Sequence, residues 1–413
     1  MTDNPEPAML FPGPMRRRGP RPLLLHLTLA MLKSHVSASG STSSNPGSPN
    51  PGIPNLLAAP YLLAKLGLPG LGGDPQALGQ NLQNDPGLIA GIAAYRRHPW
   101  VRNMPEPPVI WAEDGTRLLD YGQKAGGKAV LFVPSLVNRA YVLDLAPGHS
   151  MLRFLAGAGI RPLLLDWGWP GEAERRFTLT DYIAGRLERA LVEVNRLNIA
   201  PPVLAGYCMG GTLAVAAACR RPELVGALAL LATPWDFHAD GGKADLSVAQ
   251  LLPMLEPLLN FNSTLPVDAL QMLFAMLDPF GVGDKYREFG RLDPDSARAR
   301  LFVALEDWLN DGVPLVAAVA RECLSGWYGA NTPGRGEWRV AGMAVDPAAL
   351  RLPAFVAVPG RDRIVPPQSA EPLARLIQNA TLHRPAAGHI GMTVGMGAEK
   401  ALWRPLLEWL REL

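Results

Sequence analysis

Residues 204–213 read LAGYCMGGTL, and the fold turns on how this run is read. A short apolar stretch leads into Gly-x-Cys-x-Gly-Gly, and alanine-rich sequence follows it (LAVAAACRR, 213–221). A buried strand that turns sharply into a helix has this outline, with a nucleophile held at the turn. Such an elbow forces its central residue into an unusual backbone conformation, so the flanking positions must be small. Gly206, Gly210 and Gly211 meet that need. Cysteine stands where serine is usual, and the helix starting at Met209 aims its positive end at the sulfur, which favours a thiolate.

Outward from the elbow, the chain alternates strand and helix. VIWAEDGTRLLDYG (109–122) reads as two strands joined at Glu113-Asp114-Gly115, and KAVLFVPSLVN (128–138) as a buried strand running into a loop. LDLAPGHSMLRFLAGAG (143–159) reads as helix and IRPLLLDWG (160–168) as strand. TDYIAGRLERALVEVNRL (180–197) reads as a helix capped by Thr180 and Asp181, and LVGALALLATP (224–234) as the strand after the elbow helix. From Trp235 to about Gly326 the texture is helical without a convincing strand, as expected of a cap inserted over the sheet's C-terminal edge. The alternation resumes with AFVAVPGRDRIVPP (354–367), a helix at 369–378, a short strand in TLHRPAAGHIG and a closing helix. The expected fold is α/β, of the α/β-hydrolase type: a mostly parallel sheet, helices on both faces and a helical cap. The expected division is an N-terminal extension at 1–85, core at 86–235, cap at 236–326 and core again at 327–413.

A nucleophile needs a base, and the base needs an orienting group. In this fold they follow in the order nucleophile, acid, histidine. Only His238, His383 and His389 lie beyond Cys208. His389, in the glycine-flanked AAGHIGM, sits where the base is expected. His383 falls inside a strand pattern, and His238 at the start of the cap. Asp362, in the loop VPGRDRIVPP, is the candidate acid. The oxyanion donors expected are the N–H of Met209 and one from the loop after the early strand, with Val137 the candidate and Asn138 beside it reading as a loop cap.

The 413 residues carry a formal net charge of +2, which argues against a nucleic-acid binder. Charged residues make up only 18%, a composition suited to an apolar partner surface. Three cysteines, 208, 219 and 323, form neither a zinc pattern nor a disulfide framework, which suits a reducing cytoplasm. The stretch MRRRGPRPLLLHLTLAMLKSHV imitates a signal peptide, but His26 and Lys33 interrupt it, and an uncleaved amphipathic helix is expected. Residues 37–53 read as a Ser/Gly/Pro/Asn linker, and 55–73 as a leucine-rich segment suited to docking or to a hydrophobic surface. No Walker A loop, dinucleotide fingerprint or HExxH occurs, so neither cofactor nor metal is expected.

Together these stretches resemble the polyhydroxyalkanoate synthases, most closely the shorter synthases that work with a partner subunit. GYCMGG resembles that family's lipase-like box with cysteine in place of serine. FVPSLVNRAYVLDLAPGHSMLRFLAGAGIRPLLLDWGWP, LTDYIAGRLERALVEV, LLATPWDF, VAVPGRDRIVPP and AAGHIGMTVG resemble the segments around it, so the likeness runs from about residue 86 to the end. The resemblance implies that Cys208 is acylated by a hydroxyacyl-coenzyme A thioester and that His389 deprotonates it. It implies that Asp362 orients His389 or helps activate the incoming hydroxyl. It also implies a coenzyme A thioester substrate and a partner subunit, while the apolar N-terminal segments suit a polyester granule surface and an apolar cap in a low-charge chain suits a homodimer. Arg363 stands where the family often has histidine, and WLNDGVPL lacks the Trp-Asn-x-Asp-x-Thr pattern of the longer synthases. Two other readings fit the same motifs: a cysteine-dependent hydrolase of thioesters or polyesters, and a non-catalytic granule-associated paralogue.

Overall fold

Runs of branched and leucine-rich sequence at 129–133, 161–166, 203–207, 227–231 and 354–357 form strands buried along almost their whole length. Strands of this kind belong in a parallel sheet covered on both faces. A computed structural model of the chain describes residues 17, 19–21, 23, 85–122, 127–197, 200–239, 248–277 and 281–413. The expected linker and leucine-rich segment, and nearly all of the amphipathic helix, lie outside the described residues.

Eight strands form the main sheet: β1 (Val109–Glu113), β2 (Thr116–Asp120), β3 (Ala129–Val133), β4 (Arg161–Asp166), β5 (Val203–Tyr207), β6 (Ala227–Leu231), β7 (Ala354–Ala357) and β8 (Ala380–His383). Their order is β1-β2-β4-β3-β5-β6-β7-β8. The hairpin β1–β2 joins β4 antiparallel, and the remaining six strands run parallel. Val133 pairs with Gly206, while Tyr207, Leu231, Ala357 and His383 follow in register across the next strands. The loops after β3, β5, β7 and β8 therefore leave from one edge, where an open α/β sheet holds its ligand.

Side chains alternate across the pleat. Leu131, Val133, Leu163, Leu204 and Leu228 pack on one face against a helix running from Asp181 through Arg196 and against α-helix Met209–Arg220. Val130, Phe132, Leu164, Ala205 and Phe355 pack on the other against helices Met151–Gly157, Ala297–Asn310 and Arg404–Glu412. Helix Met209–Arg220 is buried from Met209 through Ala218, and its four alanines at 214 and 216–218 supply helix propensity without bulk.

Three local expectations need correction. Residues 143–159 are helical only from Met151; before it, Asp144–Ala146 and His149–Ser150 form a small hairpin turned at Gly148, with φ of 76°. The buried Asp144 carboxylate anchors this hairpin by accepting from Arg153 (2.7 and 3.0 Å), Arg102 (3.3 Å) and the Tyr121 hydroxyl (3.2 Å). Thr180 makes no side-chain cap; instead Thr178 and Asp181 cap each other's backbone reciprocally, at 2.7 and 3.3 Å. The segment between β6 and β7 is mainly helical, with helices Leu252–Asn262, Val267–Leu277, Gly281–Phe289 and Ala297–Asn310. It also holds a two-residue strand pair, Thr264–Leu265 with Leu315–Val316, too short to leave a periodic signal.

Candidate active site

The elbow follows from contact distances around it. Cys208 has φ 56° and ψ −130°, a conformation L-residues rarely adopt. Its N–H donates to Leu231 O at 2.9 Å, and its carbonyl accepts from Gly211 N at 2.9 Å, so both sides of the strained residue are pinned. A Cβ on Gly206 would lie 2.2 Å from Gly211 Cα, one on Gly210 2.0 Å from Val133 O, and one on Gly211 1.9 Å from Thr233 Oγ1. Each glycine of Gly-x-Cys-x-Gly-Gly is thus demanded by a neighbour.

Asp362 lies in the loop after β7, with both carboxylate oxygens committed. Oδ1 accepts from Ile364 N (2.8 Å) and Val365 N (2.9 Å), which fixes the carboxylate plane. Oδ2 lies 2.7 Å from His389 Nδ1. His389, in the loop after β8, is held by that carboxylate and lines the same cavity as the Cys208 thiol. Both Asp362 and His389 are buried. Burial works against the imidazolium, but the Cys208 charge, the hydrogen bonds to Asp362 and Cys208 and the Asp362 charge outweigh it. Together they push His389 up to about 10. The structure therefore brings Cys208, His389 and Asp362 together in the expected order along the chain.

Met209 opens the helix after Cys208, so its N–H has no intrahelical acceptor. Val137 stands across the same cavity, its N–H donating weakly to Ser135 Oγ at 3.3 Å. Its carbonyl accepts from Val313 N (3.2 Å), and Asn138 bridges to Gly312, so this loop is tied to the segment that follows helix Ala297–Asn310. The other two histidines lie elsewhere: His238 Nε2 contacts Tyr328 O (2.8 Å) and His383 Nε2 contacts Ala401 O (2.7 Å). The other cysteines are also apart from the site. Burial pushes the Cys219 thiol up to about 12 and raises Cys323 as well.

Sequence reasoning missed Tyr207. Its ring lies 5.1 Å from the His389 ring at 34°, and its hydroxyl donates to His389 O at 3.3 Å. Burial, then the charges of Cys208 and Asp362, push the phenol well up, so it remains a neutral prop for the imidazole. A strand-end tyrosine one residue before the nucleophile carries no sequence signal beyond its position.

Cys208 and His389 open into a cavity of about 90 Å³. Gln271, Phe274, Trp308 and Leu309 close it from the helical insertion, and Val137, Val142, Ile364 and Ile390 line its sides. Trp308 is fixed by its indole N–H, which donates to Arg139 O at 2.8 Å. Two roomier clefts, of about 520 and 250 Å³, run beside Pro105–Pro107 and contain none of the residues expected at the site. Among the described residues no cluster of three or more histidine, cysteine or carboxylate side chains could hold a metal, and no helix is long and apolar enough to cross a membrane.

The family model for the α/β hydrolase fold matches residues 128–395, which contain the elbow, the acid and the histidine. The chain belongs to the α/β hydrolase family. Within that family it is similar to poly(3-hydroxyalkanoate) polymerase subunits. It is 29% identical over 312 residues to the subunit from Haloferax mediterranei, covering 74% of this chain and 63% of that protein. It is 28% identical to the Synechocystis subunit (68% of this chain, 77% of that one) and 27% identical to the Allochromatium vinosum subunit (73% and 87%). The chain thus spans less than two thirds of the Haloferax protein's length and more of the other two.

Proposed function

We propose that this chain is an acyltransferase that polymerises (R)-3-hydroxyacyl groups from coenzyme A thioesters through a thioester on Cys208. The observation that carries the reading is His389, bonded to the Asp362 carboxylate at 2.7 Å and facing the Cys208 thiol on a cavity lined in part by the helical insertion. His389 holds the thiol proton as the imidazolium of the charged pair, and the Cys208 thiolate attacks the thioester carbonyl. The N–H groups of Met209 and Val137 receive the developing oxyanion; for Val137 this means giving up its long bond to Ser135. The carbon–sulfur bond to coenzyme A breaks, the imidazolium returns its proton to the departing thiolate, and the acyl group stays on Cys208. In the second half-reaction His389 removes a proton from a hydroxyl, that oxygen attacks the Cys208 thioester, and the new ester leaves as the thiolate is reprotonated.

A thiol suits this work because thioester exchange with coenzyme A is nearly isoenergetic, which lets the acyl-enzyme wait for an alcohol. A largely apolar cavity disfavours water as the competing acceptor. The coenzyme A thioester is the substrate, and these steps call for no separate cofactor. The proposed setting is the cytoplasm, at a polyester granule surface, with a second copy or a partner subunit. Incubation with 3-hydroxybutyryl-coenzyme A tests the reading: polymer with free coenzyme A supports it. Monomeric acid with free coenzyme A indicates a hydrolase, and no release of coenzyme A indicates a non-catalytic paralogue.

A further inference from the structure

On the cavity beside Cys208, one acceptor is left without a donor. Asn138 Oδ1 is buried and makes no hydrogen bond, in a protein interior where almost every such oxygen is paired. The backbone on either side is held, since Asn138 bridges to Gly312 and Val137 O accepts from Val313 N, so the amide is presented from a fixed loop. The other polar groups of the cavity are occupied. Ser135 Oγ accepts the Val137 N–H (3.3 Å), the Gln271 amide donates to Leu309 O (2.8 Å), and Tyr207 donates to His389 O (3.3 Å). Arg139 Nε also makes no hydrogen bond, but it is a donor, already ion-paired with Asp311 Oδ2 at 4.0 Å, and cannot accept from a hydroxyl.

We propose that Asn138 is the residue that recognises the 3-hydroxyl of the acyl group, its Oδ1 accepting that hydroxyl's hydrogen bond while the acyl chain occupies the cavity. This deepens the polymerase reading and rests on it for the identity of the substrate. A cavity with an unpaired carbonyl gains a bond from a hydroxyacyl group and leaves the same carbonyl buried and unpaired under a plain acyl group. Discrimination of that kind follows from the polar group of the site rather than from its size. The expected preference for 3-hydroxybutyryl over butyryl is roughly ten- to a hundredfold, the range for one buried hydrogen bond made or left unmade.

The test compares 3-hydroxybutyryl-coenzyme A with butyryl-coenzyme A in two measurements. The first is the single-turnover burst of coenzyme A release, and the second is binding to Cys208→Ala, which needs no chemistry. Asn138→Leu removes the acceptor at similar size and should bring the ratio between the two substrates to about one; Asn138→Ser keeps an acceptor and should retain part of it. An unchanged ratio in Asn138→Leu, or a wild-type protein that does not distinguish the two thioesters, overturns the proposal. If wild type releases no coenzyme A from either thioester, the polymerase reading fails, and the binding ratio in Cys208→Ala still decides the role of Asn138.

Discussion

Replacing Asp362 by asparagine tests the site through hydrogen-bond geometry alone, because the side chain keeps its size. Asp362 uses two acceptor oxygens: one receives two backbone N–H groups at 2.8 and 2.9 Å, the other faces His389 Nδ1 at 2.7 Å. Asparagine has a single acceptor oxygen. If that oxygen keeps the two backbone bonds, the NH2 donates to Nδ1, and the imidazole proton moves to Nε2, facing the thiol. If it turns to Nδ1, two backbone donors are left facing an NH2 group. Each buried group left unsatisfied costs about 1–3 kcal/mol, so the first arrangement is favoured. In that arrangement His389 cannot accept the Cys208 proton. Reaching the productive tautomer costs about 1–3 kcal/mol, and losing the charge-assisted bond to the imidazolium adds about 1.5–3 kcal/mol. The sum raises the barrier by about 3–6 kcal/mol, or roughly 10²- to 10⁴-fold in rate. The assay is coenzyme A release from 3-hydroxybutyryl-coenzyme A, with thermal unfolding to show that the variant is folded. A folded Asp362→Asn protein within a factor of about ten of wild type would refute this reasoning.

Further perturbations have defined outcomes. Gly210→Ala would bring a Cβ to 2.0 Å from Val133 O, at the foot of the elbow; chemical denaturation should show a loss of more than about 3 kcal/mol, and a loss below about 1 kcal/mol would contradict the contact reading. Trp308→Ala opens the cavity roof, so the share of product appearing as free 3-hydroxybutyrate should rise against polymer; an unchanged ratio would mean that the roof does not exclude water. The raised value of His389 makes its protonated form the one favoured by folding. Its stabilisation is fully present below the unfolded histidine value of about 6.5 and is lost as pH rises through about 10. The wild-type melting temperature should therefore fall between those limits more steeply than that of His389→Gln, and parallel curves would remove the charged pair from the account.

The elbow was legible in the sequence because its glycines answer to specific neighbours: Gly206 to Gly211, Gly210 to Val133 O and Gly211 to Thr233. Asp362 and His389 were legible because chain order and position after strands constrain them even without a known contact. Other parts left no local signal. The hairpin at 144–150 depends on the buried Asp144 accepting from Arg153 and Arg102, so its apolar run passes for helix until those partners are known. The pairing of Thr264–Leu265 with Leu315–Val316 joins residues some fifty apart with two residues per strand. Tyr207 and Asn138 gain their meaning only from the cavity, where one braces the imidazole and the other carries an unpaired carbonyl. Asn138 read from sequence as a loop cap; its side-chain oxygen caps nothing.

The most direct measurement of the central claim is intact-protein and peptide mass spectrometry after brief incubation with 3-hydroxybutyryl-coenzyme A. The expected result is a ladder of adducts separated by one hydroxybutyryl unit, on the peptide containing Cys208 and absent from Cys208→Ala. Adducts on a different residue, or a Cys208→Ala protein that still forms polymer, would contradict it.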